Sequence, residues 1–155
     1  MSKINGIYAA SVSVLDKELN LDIDKTIKHS ENLILQGCHG VVIFGSTGQA
    51  QLISVAEKIK LIEKPSKSEF KNKFIIGTGF NSLKETISFL NVCKNFYFEN
   101  FLIMPPAYYI YEDNDAINFY SEIIKNHPWC KIILYNFEKL CGYKLSIECI
   151  EELVK

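Results

Sequence analysis

The feature that most constrains this chain is an alternation. Short runs rich in β-branched and aromatic residues are each followed by a longer segment whose apolar residues recur at helical spacing. Parallel neighbouring strands need a crossover and a helix usually supplies it, so the alternation marks βαβ construction. The first run, from Ile4 to Ser13, leads to a helix from about Asp24 to Gln36, where Ile27, Leu33 and Ile34 share a face and Gly37 provides the stop. The second run, Gly40 to Phe44, is apolar at every side chain, the pattern of a strand covered on both faces. A loop from Gly45 to Leu52 follows it. Ser54-Val55-Ala56-Glu57 then fits a capping box that starts the second helix, and Pro65 marks its end. Phe74 to Gly77 is the third strand, and Ser82-Leu83-Lys84-Glu85 repeats the capping pattern at the head of a helix reaching about Asn95. Phe101 to Met104, a helix from Asp113 to Asn126, Lys131 to Tyr135 and a helix from Ser146 to Lys155 complete the series. No linker or low-complexity tract interrupts it, so residues 1–155 read as one domain.

Composition excludes several functional classes. With 155 residues, 48% hydrophobic and 23% charged, the chain has the make-up of a soluble globular domain. Its 17 basic and 18 acidic side chains are interspersed, which argues against nucleic acid or an anionic membrane surface as partner. No apolar run approaches the roughly 18 residues of a membrane span, and the opening Met1-Ser2-Lys3-Ile4-Asn5-Gly6 lacks the apolar stretch of a secretory leader, so a cytoplasmic location is expected. Cys38, Cys93, Cys130, Cys141 and Cys149 form no CxxC pair, and His29, His39 and His127 make no ligand-spaced cluster with them. Reduced thiols and no metal site are expected.

Working groups of a parallel β/α fold collect at the C-terminal ends of the strands. Four stretches fall there. In Gly45-Ser46-Thr47-Gly48 the glycines permit a tight turn, and two hydroxyls with free amides suit a carboxylate or carbonyl oxygen, although an ordinary turn has the same composition. Gly77-Thr78-Gly79 reads as a turn before it reads as a site. Met104-Pro105-Pro106-Ala107-Tyr108-Tyr109-Ile110-Tyr111 is stiffened by its prolines and presents three tyrosines, which serve subunit packing as readily as proton transfer. At Tyr135-Asn136 a phenol set among polar groups is placed to relay a proton, yet a tyrosine ending a strand is usually core. Periodicity leaves an open doubly wound sheet and a barrel both available. The glycine fingerprint of a nucleotide-binding sheet is missing from Ile7-Tyr8-Ala9-Ala10-Ser11, which disfavours an open-sheet nucleotide binder.

In this order and spacing, Phe44-Gly45-Ser46-Thr47-Gly48-Gln49, Ile76-Gly77-Thr78-Gly79, Pro105-Pro106-Ala107-Tyr108-Tyr109 and Leu134-Tyr135-Asn136 through Gly142 resemble the N-acetylneuraminate lyase and dihydrodipicolinate synthase family. The resemblance covers essentially the whole chain. It implies an α/β fold, an incomplete TIM (β/α)8 barrel of about five βα units. It also implies a class I aldolase reaction, in which a lysine on the sixth strand forms a Schiff base with pyruvate or another 2-keto acid. The iminium withdraws electrons from the neighbouring carbon, so a carbon–carbon bond breaks or forms through an enamine, without metal or organic cofactor. Ser46, Thr47 and the Gly48 amide would bind the keto-acid carboxylate, with Tyr135, Thr47 and Tyr109 as the catalytic set. Tyr135 would shuttle the proton and Tyr109 would reach into a neighbouring subunit's site. A homo-oligomer, tetrameric by resemblance, is implied.

Two departures shape the expectation. Synthases of the family carry an arginine two residues before the glycine of the last segment, paired with the carboxylate of an aldehyde substrate. Leu140 stands there, and leucine cannot form that charge-assisted pair. Leu140 and Ser46 both fit the lyase branch, so a sugar-acid lyase such as N-acetylneuraminate lyase, releasing pyruvate, is the expected reading. Dihydrodipicolinate synthase and 2-keto-3-deoxy sugar-acid aldolase are the alternatives. Phe137-Glu138 replaces the usual aliphatic-proline pair and alters the loop. The second departure is that the chain stops at Lys155, before the lysine-bearing strand. Lys73 and Lys131 begin strands, Lys155 ends an outer helix, and Lys139 lies on the correct face but in a loop without an apolar pocket to lower its pKa. The expectation is a truncated barrel with two open edges, lacking the nucleophile. A non-catalytic binding or regulatory fragment that docks to intact homologues is the alternative from another class.

Overall fold

The computed structural model describes residues 4–155, so Met1, Ser2 and Lys3 of the opening segment lie outside the described residues. Five strands, β1 (Tyr8–Ala10), β2 (Gly40–Ile43), β3 (Phe74–Gly77), β4 (Asn100–Ile103) and β5 (Lys131–Leu134), alternate with α1 (Ile23–Leu35), α2 (Val55–Ser66), α3 (Leu83–Asn95) and α4 (Asp113–Asn126). After β5 come a short helix, α5 (Glu138–Cys141), and α6 (Ile147–Leu153). All pairings are parallel and the sheet order is β1-β2-β3-β4-β5. This topology separates the two architectures that periodicity left open. A doubly wound sheet reverses its strand order at a switch point, whereas strands added in chain order with one crossover hand keep every helix on one face. The helices pack accordingly as a ring, α1 on α2, α2 on α3, α3 on α4. The expected barrel wall of five βα units is what forms.

Cap chemistry explains where the helices begin. Asp22 accepts from Lys25 N at 3.0 Å, so α1 starts slightly earlier than its spacing suggests. The capping box at the head of α2 is complete: Glu57 N donates to Ser54 Oγ at 3.3 Å and Ser54 N to Glu57 Oε2 at 3.1 Å. Glu57 Oε1 also accepts from Leu21 N at 2.7 Å, which ties α2 to the segment after β1. At α3 only the first half forms, with Glu85 N donating to Ser82 Oγ at 3.2 Å. Pro65 lies inside the last turn of α2 instead of ending it; the ring is buried there and the helix stops one residue later, at Ser66. The first strand run shrinks to Tyr8–Ala10, because the chain beyond it folds back into an antiparallel bridge between Leu15 and Leu21.

The two faces of the sheet differ. Val41, Ile43, Phe74, Ile76, Phe101 and Ile103 point to the helices and join Leu61, Ile62, Phe89, Leu90 and Ile123 in one core. On the opposite face Val42, Leu102 and Ile133 stay half-exposed. The apolar pattern of β2 suggests cover on both faces; among the described residues the helix side is packed throughout and the opposite side only in part. Along this face Val42 pairs with Ile75 and Leu102 with Ile133, and of these four Ile75 alone is buried. Phe101→Ala should therefore cost about 3–5 kcal/mol in urea unfolding, whereas Leu102→Ala should cost less than about 2 kcal/mol. Equal costs would mean that the inner face is packed too.

Candidate active site

The C-terminal ends of β2, β3, β4 and β5 surround a cavity of about 260 Å³. Its walls are mostly apolar, with Leu102 and Met104 from the β4 end, and Ser46, Gln49, Gln51 and Tyr135 supplying polar groups. Phe44 leaves β2 in the left-handed region, φ 56°, and residues 45–49 turn back on themselves, Gln49 N donating to Ser46 O at 2.9 Å. Two glycines make this turn fit. A β-carbon on Gly77 would lie 2.0 Å from the Phe44 carbonyl oxygen, and one on Gly48 would lie 2.9 Å from Ser11 O. The Gly48 carbonyl accepts from Ser13 Oγ at 2.6 Å, which fastens the turn to the segment after β1.

Tyr135 continues the sheet by one bond, its N–H donating to Ile103 O at 3.1 Å, and its side chain crosses the mouth. Tyr135 Oη donates to Ser46 Oγ at 3.1 Å, joining groups 89 positions apart in the chain. Asn136 holds the following loop, its Oδ1 accepting from Leu145 N at 3.1 Å. Within that segment, where the sequence predicts a loop, the short α5 forms and carries Leu140 onto the cavity. Asp113 anchors the far end, accepting from the Ser146 and Tyr143 hydroxyls, and these bonds hold its carboxyl below the usual range.

Ser46, Tyr135 and Leu140 thus converge on the cavity. Thr47 is exposed and Gly48 buried in the turn beside them, neither lining it. Tyr109 is 68% exposed, edge-on to Tyr108, away from the cavity. Of the lysines weighed from sequence, Lys131 pairs with Glu99 and Lys155 with Glu152 at 2.7 Å, and Lys139 is exposed on α5. No group of three or more metal-ligating side chains occurs among the described residues, and no helix there is long and apolar enough to cross a membrane.

Sequence reasoning missed Lys58. It lies in the first turn of α2, fully buried, its Nζ donating to Thr78 O at 2.7 Å and standing 3.9 Å from the Phe80 ring centroid. Burial pushes its pKa down from 10.5 to about 8, against a smaller upward pull from Glu85. Between those values the folded chain binds fewer protons at this site than the unfolded chain, so this site's contribution to stability rises with pH across the window. Unfolding free energy of wild type relative to Lys58→Met should increase by about 1.5 kcal/mol from near pH 8 to near pH 9.5. A constant difference in urea titrations would contradict the assignment.

Comparison with known proteins matches this geometry. The model of the dihydrodipicolinate synthetase family matches residues 3–155. An N-acetylneuraminate lyase of Escherichia coli is 27% identical over 154 residues, covering 99% of this chain and 52% of that relative. A Ruminococcus gnavus sialic acid aldolase, solved as a catalytic lysine mutant, superposes with TM-score 0.88 at 21% identity, covering 96% of this chain and 49% of the other. A dihydrodipicolinate synthase from Bacillus anthracis superposes with TM-score 0.90 at 23% identity over 100% of this chain and 53% of its own. The chain spans about half the length of the curated relatives it matches.

Proposed function

Because the chain belongs to the dihydrodipicolinate synthetase family, we propose that it forms the carboxylate-binding and proton-relay part of a Schiff-base lyase or aldolase site for 2-keto acids. The observation that carries this reading is the 3.1 Å bond from Tyr135 Oη to Ser46 Oγ at the mouth of a largely apolar cavity. A phenol in contact with a hydroxyl-bearing turn can pass a proton to or from a substrate oxygen held there. In the full site a lysine outside residues 1–155 would condense with the keto carbonyl, releasing water. Tyr135 gives its phenolic proton to the hydroxyl that leaves as water; the iminium then takes up the electron pair of the breaking carbon–carbon bond as an enamine, while the Tyr135 phenolate accepts the proton from the substrate hydroxyl. Ser46, which lines the cavity, would hold the keto-acid carboxylate, with Thr47 and the Gly48 amide contributing from the adjoining turn.

Within the family Leu140 favours a sugar-acid lyase. It presents apolar surface to the cavity where a synthase would need a cation for the aldehyde's carboxylate, and an unpaired buried carboxylate is costly. N-acetylneuraminate or a related keto-deoxy sugar acid is the proposed substrate class, with pyruvate as product. A cytoplasmic homo-oligomer with Tyr109 at a neighbouring subunit's site belongs to the same reading.

Two measurements on the chain test the proposal. Pyruvate should shift the amide resonances of residues 46–48, and Ser46→Ala or Tyr135→Phe should weaken that binding by about tenfold, the effect of one hydrogen bond to a charged group. No shift in wild type would refute the carboxylate site. Borohydride with pyruvate should trap no adduct on the isolated chain; a trapped adduct would show that one of its own lysines is the nucleophile and would point first to Lys139.

A further inference from the structure

A buried lysine needs a reason, since lysine is almost never fully buried without a partner. Lys58 also sits in the N-terminal turn of α2, where the helix dipole disfavours a cation. Of the groups it contacts, Phe44 lines the cavity, and Thr78 and Phe80 flank Gly79, which lines it too. Thr78 N donates to Leu102 O at 3.1 Å and so extends the β3–β4 ladder, while the Thr78 carbonyl accepts from Lys58 Nζ at 2.7 Å. The next residue, Gly79, lines the cavity, and a β-carbon there would lie 2.4 Å from Ala50 Cβ. The cation also stands 3.9 Å from the centroid of Phe80 and 5.7 Å from that of Phe44. Phe44 opens the turn that carries Ser46, in a left-handed conformation that costs an L-residue about 1 kcal/mol or more unless surrounding contacts impose it.

We propose that Lys58 is a positioning residue for the keto-acid turn: from α2 it holds the Thr78 carbonyl and the faces of Phe80 and Phe44, and thereby sets the backbone that presents Ser46 to Tyr135. Its positioning role for substrate rests on the functional reading above, but its effect on the turn does not. An aliphatic side chain would fill the space and leave the Thr78 carbonyl without its donor. Arginine keeps the charge and the donor. Among the described residues Glu85, at the head of α3, is the charge that acts on Lys58; the Glu57 carboxylate is engaged by Ser54 and Leu21 N.

The test compares wild type, Lys58→Met and Lys58→Arg as full chains, by hydrogen exchange at the amides of residues 45–50 and 78–80 and by pyruvate titration. Lys58→Met should raise exchange in both segments about tenfold, leave α4 unchanged and weaken pyruvate by a similar factor. Lys58→Arg should restore most of both. Exchange in Lys58→Met equal to wild type overturns the proposal. Wild type that does not bind pyruvate refutes the functional reading alone, because the exchange comparison still decides the role of Lys58. A measurement on folded protein covers the case in which Lys58→Met does not fold. Carbon-13 signals of the Thr78 carbonyl and the Gly45 and Gly79 α-carbons should titrate with a midpoint near 8, and Glu85→Gln should lower that midpoint. Signals that stay fixed from there through the ordinary lysine range overturn the proposal.

Discussion

Parallel pairing in chain order is the constraint on which the rest of the structure depends. It sends every strand in one direction, so the ends of β2, β3, β4 and β5 share one rim and their loops face one space. The bond between Tyr135 and Ser46 is a consequence of that geometry. Neither residue has a local reason to meet the other; the ladder β2-β3-β4-β5 carries both to the same rim, and side-chain length closes the gap. The same ladder sorts the apolar residues. Alternate positions on each strand face the helices and become core, and the remainder form an inner wall that is half-exposed at Val42, Leu102 and Ile133 and buried at Ile75.

The rim is held from behind by polar groups that are themselves buried. Tyr120 from α4 donates to Ile103 O at 2.8 Å at the end of β4, and burial drives its phenol pKa upward. Lys58 from α2 does the corresponding work at the end of β3. The Thr78 carbonyl lies just past β3 and takes its donor from the helix behind, whereas Ile103 O at the end of β4 accepts from Tyr135 N as well as from Tyr120. Supplying a donor from the helix behind couples that helix to the site in front. Close packing at Gly77 and Gly79 then passes the constraint sideways to the turn after β2, where a β-carbon at either glycine would collide with the turn.

Much of this was legible in the residues. The capping serines at Ser54 and Ser82, the stop at Gly37 and the apolar runs of the strands are local signals, and local hydrogen bonding and periodicity act the same way in any context. Their boundaries moved by a residue or two, where Asp22 capped ahead of the expected start of α1 and where Pro65 was absorbed into α2. That Ser46 and Tyr135 belong to one site is what the resemblance implies; the hydrogen bond between them appears only in the structure. Lys58 was not, because a lysine among Glu57, Lys60 and Lys64 on an amphipathic helix reads as part of a solvated face. The only local hint is its i, i+3 and i+4 relation to Leu61 and Ile62 on the apolar stripe.

By itself the sequence determined the alternation of strands and helices, the caps, the glycine-rich turns and the family, because each rests on short-range spacing or on motifs in fixed order. Only the tertiary structure decided that the strands add in one direction as a barrel wall, that the inner face of the sheet stays open in part among the described residues, and that Ser46, Tyr135 and Leu140 share a cavity while Tyr109 stands apart. It also decided the environment of Lys58. The physical reason is the same in each case: burial and charge balance are set by whichever distant segments pack against a residue, and those contacts are not written in the residue's own neighbourhood.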